Sequence, residues 1–254
     1  MLLKNKVVIV TGAGRNMGQE FALGLSAFGA SIVAADIIDT AETVEKVTRA
    51  GGNVIGIHVD VADLASTEAM AKTAYGKYGR IDGLVNNAAI YGALQIGTFE
   101  DITVEEWDKV MAVNVKGVWL AARAAYTYMK GQGSGSIVNL SSSAILLGNP
   151  LFPQYVASKG AVWSLTRSMS RTAGKYNVRV NSVSPGMVMT EASKELGSKL
   201  KENADADDAD VVVRAVKRPQ NAADVVGTVA FLLSDLSEFI TGQNLNVDGG
   251  GRHY

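Results

Sequence analysis

The chain contains no cysteine, four prolines and two histidines among 254 residues. Without cysteine there are no disulfides, no thiolate nucleophile and no cysteine-ligated zinc, and neither His58 nor His253 has a sequence partner that suggests a metal; no metal site is expected. Charge of one sign is lacking too: 24 Lys and Arg against 25 Asp and Glu leave a net charge of −1. Such a chain exerts no long-range pull on phosphate backbones, and it lacks the basic stripe of a nucleic-acid binder. Long apolar runs are absent. Met1–Val10 breaks at Thr11-Gly12, too soon for a secretory signal or a membrane span, so the expectation is a cytoplasmic protein with no membrane partner. With 47% apolar and 19% charged residues, the composition is that of a globule with a substantial core, and the length suits one domain over 1–254.

What is present is alternation. Apolar, β-branched runs at Val7–Val10, Ser31–Ala35, Val54–Val59, Ile81–Val85, Ser136–Leu140, Val178–Val183 and Gln243–Val247 read as strands. Between them lie helical segments: Met17–Phe28 closed by Gly29, Thr40–Ala50, a helix capped by Asp63 running to Tyr78 with Gly79 after it, a long helix from the Thr103/Glu106 capping box to about Met129, Gln154–Lys175, and Asn221–Ser234. Strands separated by helices in this rhythm predict a doubly wound α/β domain, a parallel sheet of seven strands with helices on both faces. Ligands of such sheets sit beyond the strand C-termini. Thr11-Gly12, Asp36, Asp60, Asn87, Ser141–Ser143 and Pro185-Gly186 all fall at those ends, so six separate stretches converge on one rim.

The first turn, Thr11-Gly12-Ala13-Gly14-Arg15-Asn16-Met17-Gly18, joins a strand to a helix. Glycine lets backbone approach a pyrophosphate closely, and the helix N-terminus supplies unpaired N–H donors. Asp36, 18 positions beyond Gly18 at the next strand end, can accept both adenosine-ribose hydroxyls and repels a 2′-phosphate. Arg15 argues the other way, since a guanidinium there can pair with that phosphate. The balance favours NAD over NADP. Tyr155 and Lys159, at i and i+4 of a helix start, share one face. An ammonium near the phenol is expected to lower its pKa from about 10 and poise it as a general base. Ser142, 13 residues before Tyr155, can donate to a carbonyl or alkoxide oxygen.

These residues resemble the short-chain dehydrogenase/reductase family, in its branch of about 250-residue subunits, over Lys6 to Gly250. Its Thr-Gly-x-x-x-Gly-x-Gly pattern is met at Thr11, Gly12 and Gly18, with Asn16 at the middle glycine; its Asn-Asn-Ala-Gly motif stands as Asn86-Asn87-Ala88-Ala89. The resemblance implies a Rossmann-type domain and a catalytic tetrad of Asn114, Ser142, Tyr155 and Lys159. It also implies cofactor contacts from Gly12, Arg15, Asn16, Met17, Gly18, Asp36, Asp60, Val61, Asn87, Tyr155, Lys159, Pro185, Gly186, Val188 and Thr190. Asp60-Val61 would meet adenine, and Pro185-Gly186 with Thr190 the nicotinamide half. The implied reaction moves hydride between a secondary alcohol or ketone and nicotinamide, with Tyr155 handling the hydroxyl proton and a relay through ribose, Lys159, a water and the Asn114 carbonyl. The alternative enzyme is an NADPH-linked 3-oxoacyl-carrier-protein reductase, which Arg15 favours and Asp36 opposes. A silent NAD-binding regulator would carry a broken tetrad, and all four members are here. A homotetramer is implied, built on the helices bearing Asn114 and Tyr155 and on the last helix and strand.

Around the tetrad, Ile145, Leu147, Phe152, Met187, Met189, Tyr91 and Leu94 are candidates for an apolar substrate pocket, and about 187–215 for a lid with Gly197 as hinge. Asp205, Asp207, Asp208 and Asp210 lack an EF-hand frame and read as a solvated face. Trp107, Trp119 and Trp163 read as packing residues, and the tail Gly249–Tyr254 as reaching a neighbouring subunit.

Overall fold

The computed structural model describes residues 1–203 and 214–252. The remainder of the expected lid, the acidic stretch Asp205–Asp210 and His253 lie outside the described residues. Seven strands form one sheet: β1 Val7–Thr11, β2 Ser31–Asp36, β3 Val54–His58, β4 Gly83–Asn86, β5 Gly135–Leu140, β6 Val178–Pro185 and β7 Asn244–Val247. Their order is β3-β2-β1-β4-β5-β6-β7 and every pairing is parallel. The order reverses between β1 and β4, which opens a crevice at the strand C-termini.

Burial of both sheet faces explains the unbroken apolar strands. Val8, Val10, Ile32, Ala34, Val85, Val138 and Val183 pack on one side with Phe21 and Leu25 of α1 (Asn16–Ala27), Val47 of α2 (Ala41–Arg49) and Val225, Val229 and Leu232 of α9 (Ala223–Leu233). Their alternating neighbours Val7, Ile9, Val33, Ala35, Leu84, Ile137 and Val180 pack on the other side. There they meet Met70 and Ala74 of α3 (Leu64–Tyr78), Ala121, Ala125 and Met129 of α5 (Gly117–Gln132) and Ala173 of α7 (Pro153–Ala173). Caps follow the sequence signals. The Asp63 carboxylate accepts from Ser66 N at 2.7 Å, and Gly79 ends α3 at φ +72°.

Three local departures have physical causes. Ladder pairing in β4 begins at Gly83 and not Ile81, because the Gln132 side chain takes both Ile81 N and Ile81 O at 2.8 Å. The long helix expected to about Met129 is divided into α4 (Val104–Met111), a π-helical segment Ala112–Lys116 and α5. Gly117 sits under Val61 so closely that a Cβ there would lie 2.8 Å from Val61 Cγ2, and its N–H bonds back to Ala112 O. The capping box is half made: Thr103 Oγ1 accepts from Glu106 N at 3.2 Å, while the Glu106 carboxylate turns to Gln95 N at 3.0 Å. A short helix α6, Ala144–Leu147, follows the serine run. No helix of the described residues is long and apolar enough to cross a membrane.

Candidate active site

The six stretches do meet at one rim, and a cleft of about 1290 Å³ lies along it. Its walls include Gly12, Arg15, Asn16, Met17, Gly18, Asp36, Asn87, Ser142, Tyr155, Lys159, Pro185, Gly186, Val188 and Thr190. Asn114 stands behind the wall, fully buried. Asp60 and Val61 do not line the cleft; they lie at the neighbouring strand end, joined to Asp36 by Val59 N donating to Asp36 O at 2.7 Å. Asp60 is occupied by its own turn, accepting from Ala62 N at 2.8 Å, and Val61 is the cover over Gly117.

The glycine turn is built by steric necessity. Gly12 has φ +68°, and a Cβ on Gly18 would lie 1.9 Å from Gly12 O. Asn16 replaces a glycine of the family pattern and holds φ +52°, a left-handed conformation that asparagine tolerates better than most residues. The turn is pinned from β4: Asn87 Nδ2 donates to Thr11 O at 3.0 Å and to Gly12 O at 3.1 Å. Helix α1 has no side-chain cap at its N-terminus, which leaves first-turn N–H groups without that partner, and Asn16, Met17 and Gly18 of this turn line the cleft. That donor set fits an anionic diphosphate. Across it, Asp36 Oδ2 accepts from Gly14 N at 2.7 Å and Oδ1 from Ile38 N at 3.2 Å, which orients the carboxylate at the cleft's β2 end.

At the other end stand the phenol, the amine and the hydroxyl. Tyr155 is 7% exposed, against Tyr91 (centroids 5.1 Å) and Phe152 (6.0 Å, edge-on). Lys159 is 3% exposed; its Nζ donates to Leu140 O at 2.7 Å and lies 5.7 Å from the Tyr155 ring centroid. The expectation that Lys159 draws the phenol downward is corrected here. Burial raises the Tyr155 hydroxyl above the ordinary phenol range, Tyr91 adds to the rise, and a hydrogen bond with the Ser142 side chain opposes it. Burial likewise pushes Lys159 down to about 8. Both neutral forms gain when water is excluded. Ser142 Oγ also accepts from Ala144 N at 3.2 Å, while Ser141 is structural, its Oγ bonding Lys159 O at 2.9 Å.

Asn114 works through the backbone. Its Oδ1 accepts from Ile90 N at 2.8 Å, and its Nδ2 donates to Ile90 O and to Ser158 Oγ, both at 3.2 Å. It therefore ties the stretch carrying Tyr91 to the helix carrying Tyr155 and Lys159. The Ile90 clasp, the Leu140 carbonyl and the cleft residues Ile38, Lys109, Arg214 and Arg252 had no motif to reveal them. Of the apolar candidates, Leu147, Phe152, Met187, Met189 and Tyr91 line the cleft; Ile145 does not, and Leu94 is buried beside Phe152 and Leu196. Gly197 lies within α8 (Glu191–Asn203) and lines the cleft. Trp107 and Trp119 are not interior packing residues: they are 40% and 46% exposed, because Val110, Ala121 and Ala125 take the inward faces of α4 and α5.

A parallel sheet with a glycine turn at its switch point and a Ser–Tyr–Lys group beside it defines a Rossmann-type oxidoreductase. The chain belongs to the short-chain dehydrogenase/reductase family. A family model described as Enoyl-(Acyl carrier protein) reductase matches residues 12–252. An uncharacterized oxidoreductase of Mycobacterium tuberculosis is 40% identical over 252 residues, 98% of each chain. A 2-dehydro-3-deoxy-D-gluconate 5-dehydrogenase of Escherichia coli is 33% identical over 249 residues, 98% of this chain and 96% of the other. The crystal structure of a levodione reductase superposes with a TM-score of 0.91 at 31% identity, covering 98% of both chains. Members of the family use nicotinamide cofactors.

Proposed function

We propose that the protein interconverts a secondary alcohol and a ketone with a nicotinamide cofactor, NAD in preference to NADP, and that Tyr155 is its general acid/base. The carrying observation is Tyr155, 7% exposed, in the wall of the same cleft as the uncapped glycine turn, with Ser142 and Lys159 lining that wall beside it. Bound nicotinamide supplies the hydride donor or acceptor. Gly12, Asn16, Met17 and Gly18 would hold the diphosphate, Asp36 the adenosine ribose, and the Pro185–Thr190 segment with Lys159 the nicotinamide half. Ser142 polarises the substrate oxygen. Tyr155, held protonated by burial, delivers a proton to the developing alkoxide in reduction and recovers it in oxidation. Lys159, its Nζ on Leu140 O and its proton held near neutrality, would replenish the phenol through the bound ribose hydroxyls rather than by direct contact. Asn114 keeps both helix and cleft wall in register. Tyr91, Leu147, Phe152 and Met189 favour an apolar substrate body. The likeness to a 2-dehydro-3-deoxy-D-gluconate 5-dehydrogenase and to a levodione reductase supports the oxidoreductase part of this reading.

A second reading, NADPH-linked reduction of a 3-oxoacyl-carrier-protein, is supported by Arg15 in the cleft wall and by the acyl-carrier description of the matching family model. We also propose a homotetramer in the cytoplasm. Its support is the exposed apolar residues Val104, Trp107 and Trp119 on α4 and α5, and Leu236 and Phe239 after α9. The deciding experiment replaces Tyr155 with phenylalanine and follows cofactor absorbance over a panel of secondary alcohols and ketones. Turnover should fall by about 10²–10⁴ with cofactor binding retained; unchanged rates would refute the assignment.

A further inference from the structure

We propose that Arg214 is a positioning residue for the nicotinamide half of the cofactor, fastening the Pro185–Met187 turn to the C-terminal turn Asp248–Gly251. This rests on the dinucleotide reading above.

The reactive end of the cleft follows from sheet order. Asp36 ends β2 and Pro185 ends β6, four strand spacings apart in the order β2-β1-β4-β5-β6, or about 19 Å. Ser143 N donates to Pro185 O at 2.9 Å, so the Pro185 turn abuts the serine run that carries Ser142. A dinucleotide with its adenosine at Asp36 and its reacting ring at Ser142 and Tyr155 therefore meets this turn only with its nicotinamide half.

Three stretches of backbone meet behind the turn. Gly186 N donates to Val247 O at 3.1 Å, Met189 N to Gln220 O at 2.8 Å, and Val216 N to Gly249 O at 2.9 Å. Asp248 Oδ1 closes the C-terminal turn by accepting from Gly250 N and Gly251 N at 3.0 and 3.2 Å. Arg214 runs across all of this. It is a cation only 4% exposed, and its guanidinium donates to Met187 O at 2.8 Å. Its stem lies over the glycines: a Cβ on Gly251 would sit 3.3 Å from Arg214 Cγ, and one on Gly249 3.6 Å from Cδ. Gly249 and Gly250 have φ +69° and +74°, so the turn is shaped for glycine and the stem fills the space left free. A charge-assisted bond to one carbonyl, from a side chain packed on a second segment, transmits the position of the C-terminal turn to Met187.

The test compares the wild type with R214M, R214K and G251V. Dissociation constants are measured by calorimetry for NAD, NADP and ADP, together with melting temperature. ADP reports the adenosine end alone. R214M keeps the apolar stem and loses the donors; it should weaken the preferred dinucleotide about tenfold and leave ADP within about twofold. R214K retains a donor and should recover most of the loss. G251V crowds the stem without touching the guanidinium, and should weaken the dinucleotide about threefold with ADP unchanged; it decides the matter if R214M does not fold. Equal weakening of dinucleotide and ADP, or no change in either, overturns the role of Arg214. A wild type that binds neither dinucleotide overturns the dinucleotide reading and this role with it.

Discussion

Replacing Lys159 by methionine should remove activity and, at the same time, change how stability depends on pH. The amine is 3% exposed, and burial alone takes it from 10.5 to about 8. At about 1.36 kcal/mol per pH unit, holding that proton costs the folded state about 3 kcal/mol near neutrality. One charge-assisted hydrogen bond, to Leu140 O at 2.7 Å, offsets part of this and is worth about 1.5–3 kcal/mol. The absolute change in stability at pH 7 is therefore small, whereas the pH dependence is not. The folded pKa lies below the unfolded one, so between about pH 8 and 10.5 the unfolded chain holds more protons and rising pH favours folding. Below about pH 8 both states carry the proton and the penalty is fully present. Methionine carries none of this. Urea unfolding of both proteins at pH 7 and pH 9.5 should show the wild type gaining about 2 kcal/mol on K159M over that interval. Other titrating groups cancel in the difference. A gap that stays constant would mean that Lys159 is not held in a water-excluded site, and the proton supply assigned to it would fall with that.

Asp36→Ala should raise the NADP-to-NAD ratio of kcat/KM by about tenfold, since removing one carboxylate relieves a like-charge repulsion of on the order of 4 kcal/mol before screening. Because Asp36 also anchors Gly14 N and Ile38 N, affinity for both cofactors should drop; an unchanged ratio would remove Asp36 from cofactor choice. Asn114→Ala removes the side-chain partner of the half-buried Ile90 N–H and carbonyl in the cleft wall, a loss of about 2–3 kcal/mol. In a chain of this size it should appear as a melting temperature lower by about 5–10 °C, accompanied by a raised substrate KM as Tyr91 shifts. A melting curve matching the wild type would show that the clasp on Ile90 holds nothing.

Much of this protein was legible locally. Short unbroken apolar runs wrote the strands, Asp63 and Gly79 wrote the ends of α3, and the glycine turn and Tyr-x-x-x-Lys spacing placed the cleft, because each signal depends on neighbours within a few residues. Asn16 shows how far local reading reaches: a residue tolerant of left-handed backbone stands where φ is +52°. Other features depend on distant partners. Ile81 left the ladder for Gln132, 51 positions away, and the long helix yielded to a π segment where Gly117 meets Val61. Tyr155 and Lys159 differ most from their sequence reading. Spacing put an ammonium near a phenol, and spacing alone says the phenol should become more acidic. Folding seals both from water between Tyr91, Phe152 and β5. Burial then outweighs the short-range charge effect, because removing water penalises every charged form while the ammonium points elsewhere, to Leu140 O. Which residues are proposed for the chemistry is a property of the sequence; their proton affinities are set by what the tertiary structure packs around them.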